Sequence, residues 1–421
     1  MDLTMPDAAA YHRLDDWVDA NFDDEVRFLQ ALVRVPTDTP PGRNAAHARC
    51  TAALLSGFGL DAEAHEVPAD RVRDAGLESL TNLVVRRAYG AGGTVVGLNA
   101  HGDVVPPGAG WTHDPYGGAI VGGRLFGRAA AVSKSDFATF AFATRAIETM
   151  RGRLQGGVEL YFTYDEEFGG ALGPGWLLER GLARCGLLIA AGFSYQVVTA
   201  HSGCLQMEVT VHGRAGHAAV PDTAVDALQG AVAVLNALYG RNAGYRQVRS
   251  RVEGIAHPYI NVGRIEGGTN TNVVPGTVVL KLDRRMIPEE DPAAVEEEIR
   301  ALIAGAAAAA PGVRVELRRL LLARPLQPLA GNAALVEPLT RHGAAVFGER
   351  IPVRGTPLYT DARWFSERGI PAVIYGAGPR TVAESNAKRA DEHLDLEDLR
   401  GATKVIARTL FDLLAQPRGA S

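Results

Sequence analysis

The sequence predicts an α/β fold with a mostly parallel sheet, interrupted by an inserted ferredoxin-like α+β domain. Three observations carry this reading. Strand-length apolar runs alternate with helical segments from about residue 80 to 191, the pattern of a sheet covered by helices. After Gly203 the pattern changes to strands that alternate apolar and polar residues. Pro371 to Tyr375 then resumes the buried-strand style.

The elements follow in order. Trp17, Val18, Phe22, Val26, Phe28, Leu29 and Leu32 recur near helical spacing, so the first 80 or so residues are expected to be helical. Leu83 to Arg87 and Val95 to Asn99 are strand-length apolar runs, and Phe137 to Met150 has helical period. Val158 to Tyr164 and Leu187 to Ala191 are again strand-like. In the second region Leu205 to Val211 alternates as a half-buried strand, and Ala224 to Tyr239 is helical. Tyr259 to Ile265 and Thr277 to Arg285 are strands, Pro292 to Ala306 a helix, and Val313 to Leu317 a last strand. This strand-helix-strand-strand-helix-strand order is the ferredoxin-like plan. The expected domains are a discontinuous catalytic domain, 1–203 with 323–421, and an inserted domain, 204–322.

A chain of 421 residues suggests more than one core. The formal net charge of −5 argues against nucleic acid or an anionic membrane as partner. The start, Met1-Asp2-Leu3-Thr4, has neither a basic nor an apolar signal region, and no run is long and apolar enough to span a bilayer. Cys50, Cys185 and Cys204 stand at no metal-like spacing and read as buried reduced thiols. A cytoplasmic protein is expected.

Chemistry in parallel sheets gathers at the carboxyl ends of the strands. Both His101-Gly102-Asp103-Val104-Val105-Pro106 and Asp165-Glu166-Glu167 follow strand-like runs. An isolated Glu-Glu pair is ordinarily a solvated turn; placed after a buried strand, with His101 and Asp103 elsewhere at the same end, it reads as active-site chemistry. Lys134 and Asp136 read as a local ion pair or helix N-terminal charges.

The order and spacing of these segments resembles the family of carboxypeptidase G, aminoacylase, acetylornithine deacetylase and succinyl-diaminopimelate desuccinylase, from about Phe28 to Leu414. The resemblance implies a zinc-peptidase-like catalytic domain, an inserted lid that makes a homodimer, and two zinc ions hydrolysing N-acyl amino acids or peptides. By the same resemblance His101 is a metal ligand and Asp103 the carboxylate that orients it. Glu166 is the general base, and Glu167 a ligand of the other metal. His217, in Gly213-Arg214-Ala215-Gly216-His217, matches the lid histidine that reaches the partner subunit's site and steadies an oxyanion. Asn272, Arg285 and the loop Gly376-Ala377-Gly378 match substrate-binding positions. The guanidinium and the backbone N–H groups would receive the substrate's carboxylate.

Three positions depart from the pattern. The bridging aspartate is replaced by Val132, the next acidic ligand by Ala191 and the last histidine by Lys388. No carboxylate occurs from Pro115 to Ser135, and none from Arg180 to Met207. One metal site keeps only His101 and the other only Glu167. A catalytic zinc normally takes about three protein ligands. Asp136, one turn beyond Val132, and His393 are weak substitutes as ligands.

The expectation is an enzyme without a metal cofactor, zinc being the alternative. Its substrate would be a small amino-acid derivative with a free carboxylate. Glu166 would be the main acid or base, with His101 and Asp103 a second pair. Lys388 would supply a fixed positive charge; set beside Val132 it would be desolvated, lowering its pKa. Glu167, Arg285, Asn272, Gly376 and Gly378 would bind substrate. The reaction would be amide hydrolysis, or elimination, cyclisation, epimerisation or acyl transfer with the same groups. A metal-dependent deacylase or dipeptidase, and a non-catalytic binding protein on the same fold, are the other readings.

Overall fold

The computed structural model describes residues 7–416. These residues divide into two compact units, one formed by 7–199, 328–354 and 360–416, the other by 200–327 and 355–359.

The first unit is built on an eight-stranded sheet. Its central strands run parallel: Val95–His101 lies between Gly156–Thr163 and Leu187–Ala190, and Leu187–Ala190 pairs with Ala372–Ile374. On one side the sheet continues antiparallel through Thr81–Gly90 to Ala62–Glu66. That last strand lies inside the region expected to be all helical. Its sequence, Ala62-Glu63-Ala64-His65-Glu66, shows no apolar alternation because it is an edge strand with no buried position on either face. Gly156–Thr163 is buried at every position, as a strand covered on both faces must be.

The helix Lys134–Glu148 packs its aromatic residues on this sheet. Phe137 stacks on Phe162 with ring centroids 4.1 Å apart. The helix carries Lys134 and Asp136 at its start, both fully buried. They do not pair with each other. The Lys134 ammonium donates to the carbonyls of Val35, at 2.9 Å, and Leu32, at 3.3 Å. Burial pushes Lys134 down to about 7.

The second unit is a four-stranded antiparallel sheet with two helices. In spatial order the strands are Tyr259–Gly267, Thr277–Met286, Gly203–His212 and Arg314–Ala323. The helices Ala227–Tyr245 and Pro292–Ala308 bury Val234, Leu238, Ile299 and Ile303 against its apolar face. Numbered along the chain, the strands stand in the order 2-3-1-4, the ferredoxin-like arrangement expected from the sequence. Asp226 and Asp291 cap the two helices by accepting from their first-turn N–H groups. No described helix is long and apolar enough to cross a membrane.

Candidate active site

Register brings the first two motifs together. His101 is the last residue of its strand and lies opposite Thr163 on the parallel neighbour. Asp103 and Glu166 therefore leave the same edge of the sheet. The buried Asp103 carboxylate ties them: Oδ2 accepts the Glu167 N–H at 2.9 Å and Oδ1 the Glu166 N–H at 3.2 Å. Gly102 is held by the Thr163 carbonyl at 2.8 Å, and a Cβ there would strike the Tyr164 ring.

The His101 ring is clamped between carboxylates. Nδ1 lies 3.0 Å from the Asp103 carbonyl and 3.4 Å from its Oδ1, and Nε2 lies 3.8 Å from Glu166 Oε2. Burial opposes charge on this ring, yet Glu166, Asp103 and Glu167 together outweigh it and push His101 up to about 10. A ring held in its protonated form donates from both nitrogens, which favours the acid side of the second acid–base pair expected from the sequence. Glu166 is pushed up to about 7, chiefly by burial, with Glu167 adding to the rise and His101 and Lys388 opposing it. A carboxyl poised near neutrality suits proton transfer.

Lys388 reaches the same carboxylates. Its ammonium donates to Glu167 Oε2 at 2.7 Å. Desolvation pulls its pKa down, but Glu167 and Glu166 more than reverse this, so the net shift is upward. This direction is opposite to the lowered pKa expected for Lys388 from the sequence.

Two further carboxyl groups lie here: Asp165 opens the second motif but was given no role of its own, and Asp361 was not singled out in the sequence. Asp165 is buried and accepts the Leu172 N–H at 2.6 Å. Asp361, in Thr360-Asp361-Ala362-Arg363, is buried beside Thr163 Oγ1 at 3.5 Å. Burial, then Glu166 and Asp165, hold Asp361 well above the usual carboxylate range. The signal for Asp361 was its place just after the strand Val353–Thr356, at the start of a short helix.

The other anticipated residues are placed as follows. Asp136 Oδ1 accepts the Ala377 N–H at 2.8 Å, and a Cβ at Gly376 would lie 1.9 Å from that oxygen. Asp136 thus braces the 376–378 loop. Gly376 N–H donates to the Phe193 carbonyl at 3.3 Å and Gly378 N–H to the Gly192 carbonyl at 2.7 Å. All three N–H groups of this loop are committed inside the protein, contrary to the carboxylate-binding role expected for Gly376 and Gly378. His393 turns Nδ1 to the Asp391 carbonyl at 2.9 Å and lays its ring near Phe126, away from a ligand role.

Within the second unit, Arg285 forks onto Asp283, Nε to Oδ1 at 2.7 Å and Nη2 to Oδ2 at 3.2 Å. A substrate carboxylate would have to displace that partner. His217 is exposed, and its Nδ1 accepts the Ala219 N–H at 3.1 Å. In the neutral ring the proton then sits on Nε2, leaving an outward donor. Asn272 is exposed, and its carbonyl accepts the Ala218 N–H at 3.0 Å, next to the small two-stranded antiparallel sheet that pairs His217 with Val273.

These residues do not fit the two zinc ions that the resemblance implies. Val132 and Ala191 offer no donor atom, and the ammonium at position 388 is hydrogen-bonded to Glu167, one of the retained ligands. Among the described residues no group of three or more His, Cys, Asp or Glu is arranged to hold a metal ion.

Comparison with known proteins agrees with the motif order. Peptidase family M20/M25/M40 matches residues 97–412. An acetylornithine deacetylase of Myxococcus xanthus is 29% identical over 362 residues, covering 85% of this chain and 89% of its own. A succinyl-diaminopimelate desuccinylase of Methylorubrum populi is 28% identical over 398 residues, 90% of this chain and 96% of its own. Among solved structures, human carnosine dipeptidase 1 superposes with a TM-score of 0.76 at 17% identity, covering 96% of this chain and 98% of its own. An M20 family metallo-carboxypeptidase from Sulfolobus solfataricus gives the same TM-score at 17% identity, covering 92% and 98%. The chain belongs to peptidase family M20/M25/M40.

Proposed function

We propose that this family member acts on a small amino-acid derivative carrying a free carboxylate, at a C–N bond, by acid–base chemistry that uses no metal. The observation that carries the reading is the contrast at one sheet edge. Glu166 lies 3.8 Å from the His101 imidazole, itself backed by Asp103, while positions 132, 191 and 388 bear two aliphatic side chains and an ammonium. The proton-transfer groups survive where metal-ligating groups do not.

In this reading Glu166 takes a proton from the attacking water or from the substrate and returns it to the leaving nitrogen. His101, held as a cation, sets the charge of Glu166, and Lys388 offsets negative charge that develops on the substrate. Glu167 binds both Lys388 and the substrate's polar groups. As the resemblance implies, His217 donates from Nε2 to an oxyanion in the partner subunit's site, with Asn272 beside it. Arg285 receives the substrate carboxylate by exchanging it for Asp283. Relatives named for deacetylating acetylornithine and desuccinylating succinyl-diaminopimelate support the carboxylate-bearing class and favour amide hydrolysis. The same proton transfers also serve elimination, cyclisation, epimerisation or acyl transfer.

A metal-dependent deacylase or dipeptidase is the second reading. It is favoured by the solved neighbour described as a metallo-carboxypeptidase. Turnover of a panel of N-acyl amino acids and dipeptides, measured with and without chelator, separates the two. We expect turnover that survives chelation and falls at least ~100-fold in Glu166→Gln, the scale of a lost general acid–base group. Activity abolished by chelator, or unchanged in Glu166→Gln, would refute the proposal.

A further inference from the structure

The loop carrying Lys388 is held in an unusual way. Among the described residues, four non-glycine ones have left-handed backbone: Ala129 (φ 63°), Asn386 (φ 53°), Lys388 (φ 63°) and Asp391 (φ 55°). Three of them fall within residues 386–391. The fourth belongs to the segment that packs on this loop, where the Gly127 N–H donates to the Glu392 carbonyl at 2.9 Å. Such conformations persist only where the surroundings over-determine them.

The surroundings are on view. The Asp391 carboxylate accepts the Thr112 N–H at 2.9 Å, the Thr112 hydroxyl at 2.8 Å and the His113 N–H at 3.1 Å. Glu392 Oε2 accepts from the Arg128 guanidinium at 2.6 Å and from the Lys388 N–H at 3.2 Å. The side chains of Arg128 and Glu392 are each only 2% exposed. The Lys388 side chain, by contrast, is 60% exposed, whereas that of Glu167 is 10% exposed. A lysine so open to water is ordinarily mobile and pairs weakly. Here the clamped backbone, not side-chain packing, aims its ammonium at Glu167.

We propose that this loop presents Lys388 as a tethered cation that bars a divalent metal ion from the Glu167 side of the site, with Glu392 and Arg128 as positioning residues. The inference rests on the metal-free reading above. Three properties make the ammonium an excluder. It occupies an oxygen that a metal would need. It carries charge of the same sign as the metal. Protonated, it has no lone pair to offer as a ligand. Loss of a histidine alone would have left a weakened site; its replacement by an anchored cation closes that side.

The test is the zinc retained per chain after equilibration with excess zinc and desalting. It compares the unaltered chain, V132D/A191D and V132D/A191D/K388H. Histidine is among the residues that tolerate left-handed backbone. We expect essentially no zinc in the unaltered chain, about one in the double variant and about two in the triple, at about three protein ligands per ion. About two zincs in the double variant, or no gain from double to triple, would overturn the proposal. Zinc held by the unaltered chain would instead sink the metal-free reading on which it rests.

Should the triple variant fail to fold, V132D/A191D/K388Q removes the same charge; it is expected to retain more zinc than V132D/A191D, and equal retention overturns the proposal. Positioning is tested by V132D/A191D/E392Q. A merely structural role would lower Tm and leave zinc at about one per chain, whereas a positioning role raises it above one.

Discussion

The ammonium of Lys388 lies 2.7 Å from a carboxylate oxygen of Glu167, 221 positions earlier in the chain. Because the lysine side chain is 60% exposed, this pair contributes little to folding, on the order of 1 kcal/mol or less. Its proposed contribution is electrostatic. Lys388→Met is therefore expected to leave denaturant stability within ~1 kcal/mol of the unaltered protein. Turnover should fall at least ~10-fold, about 1.4 kcal/mol of lost transition-state stabilisation. Urea unfolding and steady-state kinetics on the same preparation check both halves. A large loss of stability with unchanged turnover would make Lys388 structural.

Much of this site was legible because it is local in sequence. His101, Asp103, Glu166 and Glu167 each sit just past a strand-length apolar run, and parallel pairing of those runs dictates a common edge. The ferredoxin-like unit was legible for a similar reason, since its strands alternate cleanly, as Gly203–His212 does. What was hidden depends on long-range partners. The Arg285–Asp283 pair is the exception, a local partner two residues away on the same strand face that was overlooked. Nothing near Gly376 and Gly378 says that Asp136 and the carbonyls at 192 and 193 use up the loop's N–H groups. The direction of the Lys388 shift depended on a contact with Glu167 that spacing alone could not reveal. Strand Ala62–Glu66 escaped notice because an edge strand exposed on both faces has no hydrophobic period.

A buried carboxyl away from the candidate site predicts how stability varies with pH. Glu25, on the helix Phe22–Val33, is fully buried, and burial raises it from an ordinary 4.5 to about 8. Thr403 Oγ1 lies 2.6 Å from Glu25 Oε1 and 3.0 Å from the Leu399 carbonyl. The hydroxyl has one proton; given to Leu399, it leaves Oγ1 to accept from a protonated Glu25. The folded state then holds a proton that the unfolded chain has lost. Stability from this group is full below about pH 4.5 and is lost as pH rises towards about 8. The slope in that window is at most ~1.4 kcal/mol per pH unit. Glu25→Gln removes the titration, so its Tm relative to the unaltered protein should be higher at pH 8 than at pH 5. Thermal melts at the two pH values test this, and an offset independent of pH would contradict it.

The expected homodimer has a testable seam in the second unit. Strand Tyr259–Gly267 is an edge of the four-stranded sheet, and Ile265 is exposed on it between Arg264 and Glu266. An antiparallel pairing of two copies about Ile265 would set each Arg264 opposite the Glu266 of the other copy, a self-complementary arrangement of the kind two-fold interfaces require. Light scattering coupled to size exclusion should give a dimer for the unaltered chain and a monomer for Ile265→Asp. A monomer in both, or a dimer unaffected by the substitution, would place the contact elsewhere or remove it.

The metal-free reading rests on Val132, Ala191 and Lys388, and metal content tests it most directly. The purified protein is equilibrated with excess zinc, desalted and analysed for bound metal. We predict far less than one zinc per chain; about two per chain, each held by about three protein groups, would contradict the metal-free reading and favour a metal-dependent deacylase or dipeptidase.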